Sequence, residues 1–189
     1  MSKRMQAPTS PTLETSRLIL RPYAPSDAEA LARVCNNINV VRWTSSHPFP
    51  YEVSHATEYL ARIEREFAEG KSVSFAAVLR ESGELIGGVG LKCERAQQRA
   101  EVGYMLSEPN WGKGYATEAT TRVLRFAFEE LKLSRVNASV HATNTGSIRV
   151  LEKLGLIQEG VQRRHVCRFG EWNDLVLFGI LREEWLARA

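Results

Sequence analysis

Apolar residues recur along the chain in two rhythms, short alternating runs and longer stripes at three- and four-residue spacing. Residues 17–21 (Arg-Leu-Ile-Leu-Arg) predict a first strand ended by Pro22. Residues 26–29 (Ser-Asp-Ala-Glu) have the form of a capping box, and Leu31 and Val34 give the helix behind it an apolar side. An irregular stretch with Trp43, His47, Pro48, Phe49 and Pro50 follows. Val53, Ala56, Leu60, Ile63 and Phe67 then predict a longer helix that Gly70 is placed to end. Residues 74–79, 85–91 and 100–106 read as three strands of an antiparallel meander, the first two joined through Glu81-Ser82-Gly83-Glu84.

Beyond Leu106 the pattern changes. A loop at 107–113 leads into a helix over about 115–131, with Ala116, Ala119, Val123, Ala127 and Leu131 on one side. A strand at 135–140 and a helix at 145–154 follow. Residues 156–167 and 172–181 predict a closing hairpin that turns at Phe169-Gly170, and a short helix ends the chain. A meander joined to strand–helix–strand units predicts one α/β (α+β) domain over residues 13–189. Residues 1–12 read as a flexible tail: Lys3 and Arg4 have no apolar segment behind them, so a secretory signal is not expected.

Composition narrows the classes further. The chain has 189 residues, 43% hydrophobic and 25% charged, which suits one domain with a real core. A net charge of +3 with no run of five or more like charges gives no footprint of a nucleic-acid binder. No apolar run is long enough for a membrane span. Cys35, Cys93 and Cys167 are few, odd in number and far apart, so each is expected as a small buried residue in a reducing cytoplasm. His47, His55, His141 and His165 show no metal-ligand spacing, and no metal is expected.

The most informative segment is Asn110-Trp111-Gly112-Lys113-Gly114-Tyr115-Ala116-Thr117, between a strand and a helix. Glycines there let successive N–H groups turn toward one point, the helix N-terminus adds partial positive charge, and Lys113 adds a mobile one. The spacing is not that of a P-loop. It fails the dinucleotide fingerprint too, since Thr117 holds the third glycine position and no acid ends the next strand. The glycines alone leave a phosphate site and a plain tight turn equally open.

A second segment, Asn144-Thr145-Gly146-Ser147 with Leu151-Glu152-Lys153-Leu154-Gly155, lies one strand–helix unit later. Asn144 stands where it could bond a pantetheine amide or cap the helix. Together the two segments resemble the coenzyme A motifs of the GNAT N-acetyltransferase superfamily. Leu18-Ile19-Leu20-Arg21-Pro22 and Gly170-Glu171-Trp172-x-Asp174 are similar to its ribosomal-protein N-terminal acetyltransferase branch. The resemblance covers nearly the whole chain.

It implies a mostly antiparallel mixed sheet flanked by helices, with a splayed strand pair, residues 100–106 parting from 135–140, and pantetheine in the gap against backbone at Met105 and Leu106. The pyrophosphate would sit on N–H groups from Gly112 to Thr117, with acetyl-CoA as cosubstrate and an amine as acceptor. Two departures stand out. Leu151 replaces a frequent tyrosine proton donor, so Ser147 becomes the expected donor. Trp111 stands where Arg or Gln is usual.

By strand alternation Glu101 shares a face with Gly103 and Met105, and is the candidate base or an exposed cross-strand partner. Ser147 is equally readable as a polar residue bonding within its helix. Trp43, Tyr51, Trp172 and Asp174 are candidate linings of an acceptor pocket, or core. Arg149 and Lys153 read as a solvated helix face or as contacts to the coenzyme's 3′-phosphate. The resemblance implies transfer to a protein N-terminal amine. A small amine acceptor and a non-catalytic acyl-CoA sensor stay open, as does a homodimer.

Overall fold

A computed structural model describes residues 10–188; residues 1–9, most of the expected tail, lie outside the described residues. The strands are β1 (Leu13–Glu14), β2 (Leu18–Pro22), β3 (Ser72–Leu79), β4 (Leu85–Glu94), β5 (Arg99–Leu106), β6 (Arg135–His141), β7 (Ile157–Arg168) and β8 (Glu171–Leu181). The α-helices are α1 (Ala28–Cys35), α2 (Ile38–Val41), α3 (Val53–Ala68), α4 (Tyr115–Arg125), α5 (Thr145–Lys153) and α6 (Arg182–Leu186). One sheet runs β1-β2-β3-β4-β5-β6-β8-β7. Every neighbouring pair is antiparallel except β5 with β6.

Strand alternation builds the two layers around the sheet. Phe75 and Ala77 of β3, Ala100 and Val102 of β5, and Val136, Ala138 and Val140 of β6 are buried in one cluster with α4 and α5. On the other face Met105 packs against the cluster of α1 and α3 built from Leu31, Ala56 and Leu60. Phe75, Phe128 and Phe178 are among the largest side chains that are fully buried.

Several local expectations need correction. Pro22 is the last residue of β2 rather than its terminator, and the strand β1 lies before it. Residues 26–29 are not a capping box. A 3₁₀ turn at Pro25–Asp27 leads into α1, and Asp27 is the residue that fixes it. Its carboxylate accepts from the Ala24 N–H at 2.8 Å and from both guanidinium nitrogens of Arg21 at 2.7 and 2.8 Å. Burial works against ionisation of Asp27, but these bonds outweigh it and hold its pKa below the ordinary value.

Helix α3 ends as read. Gly70 has φ +70°, its N–H donates to Phe67 and that of Lys71 to Glu66, which together form a Schellman motif. The 115–131 helix is not α-helical throughout. Phe126–Glu130 form a π turn, with the Leu131 N–H donating to Phe126 five residues back. Phe126, Ala127 and Phe128 of that turn are all buried. Of the cysteines only Cys35 is buried, with its thiol pushed up to about 12 by burial; Cys93 is half-buried and Cys167 exposed.

Candidate active site

The site is built at the parallel pair. β5 and β6 are in register only over Arg99↔Arg135, Ala100↔Val136 and Glu101↔Asn137. From Val102 onward β5 stays on β4, and from Ala138 onward β6 stays on β8, so the two strands part. Gly87 of β4, at φ +148°, sits where the parted end of β5 presses closest. A Cβ there would lie 2.1 Å from the Met105 carbonyl oxygen. Gly103 faces open space, since a Cβ added to it would meet nothing within 4 Å.

The loop expected to bind phosphate opens at the end of β5. Residues 111–114 are exposed, and Gly112 and Gly114 have φ of +72° and +83°. The first backbone bond into α4 runs from the Glu118 N–H to the Gly114 carbonyl. That leaves the N–H groups of Tyr115, Ala116 and Thr117 without partners inside the helix. Such a cradle fits an anion.

Two residues missed in the sequence hold this cradle. The Arg17 guanidinium donates to the Lys113 carbonyl at 3.0 Å, stacks 4.5 Å over the Tyr115 ring and pairs with Glu118 at 2.7 Å. Glu118 also accepts from Thr15, Ser16 and the Arg17 N–H at 2.7, 2.9 and 2.8 Å. Burial raises the Glu118 pKa, yet these donors outweigh it and hold the carboxyl below its ordinary value. The only trace in the sequence is an Arg beside the first strand and a Glu one turn into the helix, too common a pair to single out.

Trp111 is not idle where Arg or Gln was the usual residue. Its indole N–H donates to the Leu106 carbonyl at 2.7 Å and so ties the loop to the end of β5. One lone pair of the Leu106 carbonyl is therefore already engaged within the chain. Asn110 is buried, bonding Ser107 at 2.9 Å.

On the other arm Asn144 caps α5: its side chain accepts from the Ser147 N–H at 3.1 Å. Ser147 lies in the first turn, with its hydroxyl 2.7 Å from that of Tyr104 on β5. Leu151 is core, 1% exposed, and Arg149 and Lys153 are exposed. Tyr104 was not among the sequence candidates; its alternation with the buried Val102 and Leu106 marks it as apolar-facing and hides the hydroxyl.

Glu101 lies on the opposite face of the sheet. It accepts from the Ser139 hydroxyl at 2.6 Å and makes no ion pair among the described residues. It borders a cavity of about 290 Å³ whose other carboxylates are neutralised, Glu94 by Arg99 and Glu159 by Arg135.

Further along that face the expected acceptor lining is partly corrected. Tyr51 is core, 4% exposed, and Trp172 is 60% exposed. Asp174 is held by the Arg164 N–H at 2.7 Å. Trp43 does line the face, edge-on to His141. His141 is 3% exposed with neither ring nitrogen hydrogen-bonded; the Asn173 amide comes near without closing a well-formed bond. Burial lowers its pKa, so the ring is neutral near pH 7.

No group of three or more His, Cys, Asp or Glu able to hold a metal occurs among the described residues. No described helix is long and apolar enough to cross a membrane. The cradle of free N–H groups, the open space at Gly103 and the parted strands fit the pyrophosphate and narrow arm of coenzyme A.

The chain is similar to known acetyltransferases. Over 175 residues the chain is 33% identical to the uncharacterised N-acetyltransferase p20 of Bacillus licheniformis, covering 92% of this chain and 98% of that one. It is 31% identical, over 89% of this chain and 93% of the other, to YdaF of Bacillus subtilis (strain 168), provisionally named a ribosomal N-acetyltransferase. The structure of Mycobacterium smegmatis RimJ, in complex with CoA-disulfide, superposes with a TM-score of 0.83 at 25% identity, over 93% of this chain and 89% of that one. Residues 17–157 match the acetyltransferase (GNAT) domain family, and the chain belongs to it as an N-acetyltransferase.

Proposed function

We propose that the protein transfers an acetyl group from acetyl-CoA to the α-amine of a protein N-terminus. The observation that carries this reading is the parted β5–β6 pair, with an anion cradle at the start of α4, Ser147 on one face and Glu101 on the other. In this reading Gly112, Lys113, Gly114, Tyr115, Ala116 and Thr117 receive the pyrophosphate. Trp111 braces their loop. Backbone at Met105 and Leu106 and the Asn144 side chain hold the pantetheine arm.

Acetyl-CoA supplies a thioester activated toward attack. The chain's task is to prepare the amine and receive the leaving sulfur. An alkyl ammonium has no lone pair, so it must first lose a proton. Glu101, with no cation paired to it, attracts the ammonium and takes that proton directly or through water. The amine then forms its bond to the carbonyl carbon as the carbon–sulfur bond breaks. Ser147, on the other side of the gap, gives its hydroxyl hydrogen to the departing sulfur and regains one through solvent from the nitrogen, which sheds its second proton as the amide forms. Amine and leaving group thus stand on opposite sides of the reacting carbon.

An N-terminal peptide is favoured over a small amine by the shape around Glu101. The cavity there is shallow and lined by charged side chains, whereas small ligands are usually enclosed in apolar pockets. The name carried by YdaF points to the same acceptor class. Acetylation of a panel of peptides with free and blocked N-termini, read by mass, tests this. Product on free N-termini alone supports the reading. Product only on lysine side chains or small amines overturns it.

A further inference from the structure

One tie joins the parted end of β5 to the helix that follows β6. Tyr104 lies on the unpaired part of β5, and Ser147 lies in the first turn of α5, which follows β6. Their hydroxyl oxygens are 2.7 Å apart, and the Ser147 carbonyl is 3.2 Å from the phenol. Burial pushes the phenol pKa up to about 12, against the opposing pull of the Ser147 bond. The group is therefore a neutral O–H near pH 7.

Each hydroxyl has one hydrogen to give. If the phenol gives its hydrogen to the Ser147 carbonyl, the serine must spend its own on the phenol. If the phenol gives it to Ser147 Oγ at the shorter distance, the serine hydrogen is free to point elsewhere. Donation into Oγ also polarises the serine O–H and strengthens the bond it gives.

We propose that Tyr104 is a positioning residue for Ser147: its phenolic hydrogen, given to Ser147 Oγ, fixes that hydroxyl and turns the serine hydrogen into the gap between β5 and β6, toward the sulfur of coenzyme A. This rests on reading the gap as the acyl-CoA site. Leu151, buried in the core, offers no hydroxyl of its own. The tie comes instead from the facing strand.

The test needs no acceptor. Coenzyme A is bound to the full chain and its thiolate is followed by ultraviolet absorbance against pH, below the range where tyrosine ionises. In the wild type the bound thiol ionises at lower pH than free coenzyme A. Tyr104→Phe raises that value by about 0.5–1 unit, the effect of one neutral hydrogen bond. Ser147→Ala raises it at least as far, and Tyr104→Phe adds nothing in the Ser147→Ala background. An unchanged melting temperature shows that the Phe variant is folded.

Equal shifts in both backgrounds overturn the proposal, because a structural effect does not depend on Ser147. No shift on Tyr104→Phe, or a wild-type thiol that ionises like the free one, overturns it as well. Failure to bind coenzyme A overturns it together with the site reading. Shifts as expected with no acetyl transfer to any amine support the positioning role and overturn only the proposed acceptor chemistry.

Discussion

Glu101 and Ser147 face the gap from opposite sides of the sheet, so their removal should fail in different ways. Glu101→Gln keeps the Ser139 bond through the amide oxygen but cannot take a proton. Its turnover should drop by about 10²-fold or more, the usual scale of general-base loss, with coenzyme A affinity unchanged in calorimetry. Ser147→Ala should lower turnover by about tenfold or more while the KM for acetyl-CoA stays within a few-fold. Equal turnover in either variant removes the corresponding role.

Gly114→Asp strains a residue at φ +83° and sets a carboxylate beside the cradle, so coenzyme A affinity should fall by at least about tenfold, as expected for like-charge repulsion. These candidates were legible because each stands in a local motif. Arg17, Glu118 and Tyr104 were not, because their roles come from contacts across about a hundred residues of chain, or from a hydroxyl on an apolar-facing position.

At the scale of elements, the tether of the β1–β2 segment to α4 depends on one carboxylate. Four donors converge on Glu118, and hydrogen bonds to a charged group contribute about 1.5–3 kcal/mol each. Glu118→Ala should therefore lower the melting temperature and also weaken coenzyme A binding, since Arg17 loses its anchor. Its depressed pKa gives the dependence on pH a sign. The stability is fully present above about pH 4.3, where an unfolded glutamate ionises, and is lost as pH falls through the lower folded value. Wild type and Glu118→Ala should converge in acid melts, and a constant gap between them would contradict this.

The β7–β8 hairpin braces the 42–50 segment in a similar way. Phe169 and Gly170, at φ +49° and +83°, form the tight turn that the sequence suggested, with Arg168 paired to Glu171. From there Arg168 donates to the carbonyls of His47 and Val41 at 2.7 and 3.3 Å, and Phe169 meets Phe49 edge-on. Arg168→Ala should loosen the 42–50 segment and raise the KM for the acceptor more than that for acetyl-CoA. Most strands and helices were readable within a few residues from alternation and caps. The start of α1 and the π turn that follows α4 were not: a side chain from β2 sets the first, and the second leaves no mark in the apolar spacing.

For the molecule as a whole, a mostly antiparallel sheet opens at the one parallel junction among its described strands. Two strands that pair for three residues and then diverge leave backbone and side chains facing a gap, with helices fixed on both sides of it. Strand order and the parallel register come from long-range pairing, which spacing along the chain does not encode; only the splayed pair was expected, and that from resemblance. The acceptor is set by side chains gathered from distant segments, and for that reason it was the least legible part.

The most direct measurement is thiol release from acetyl-CoA with N-terminal peptides and small amines as acceptors, with binding of acetyl-CoA measured alongside. The expected result is tight binding and release that depends on a free peptide N-terminus, lost in Glu101→Gln. Tight binding with no release for any acceptor would contradict the transferase reading of this site and leave an acyl-CoA binding protein in its place.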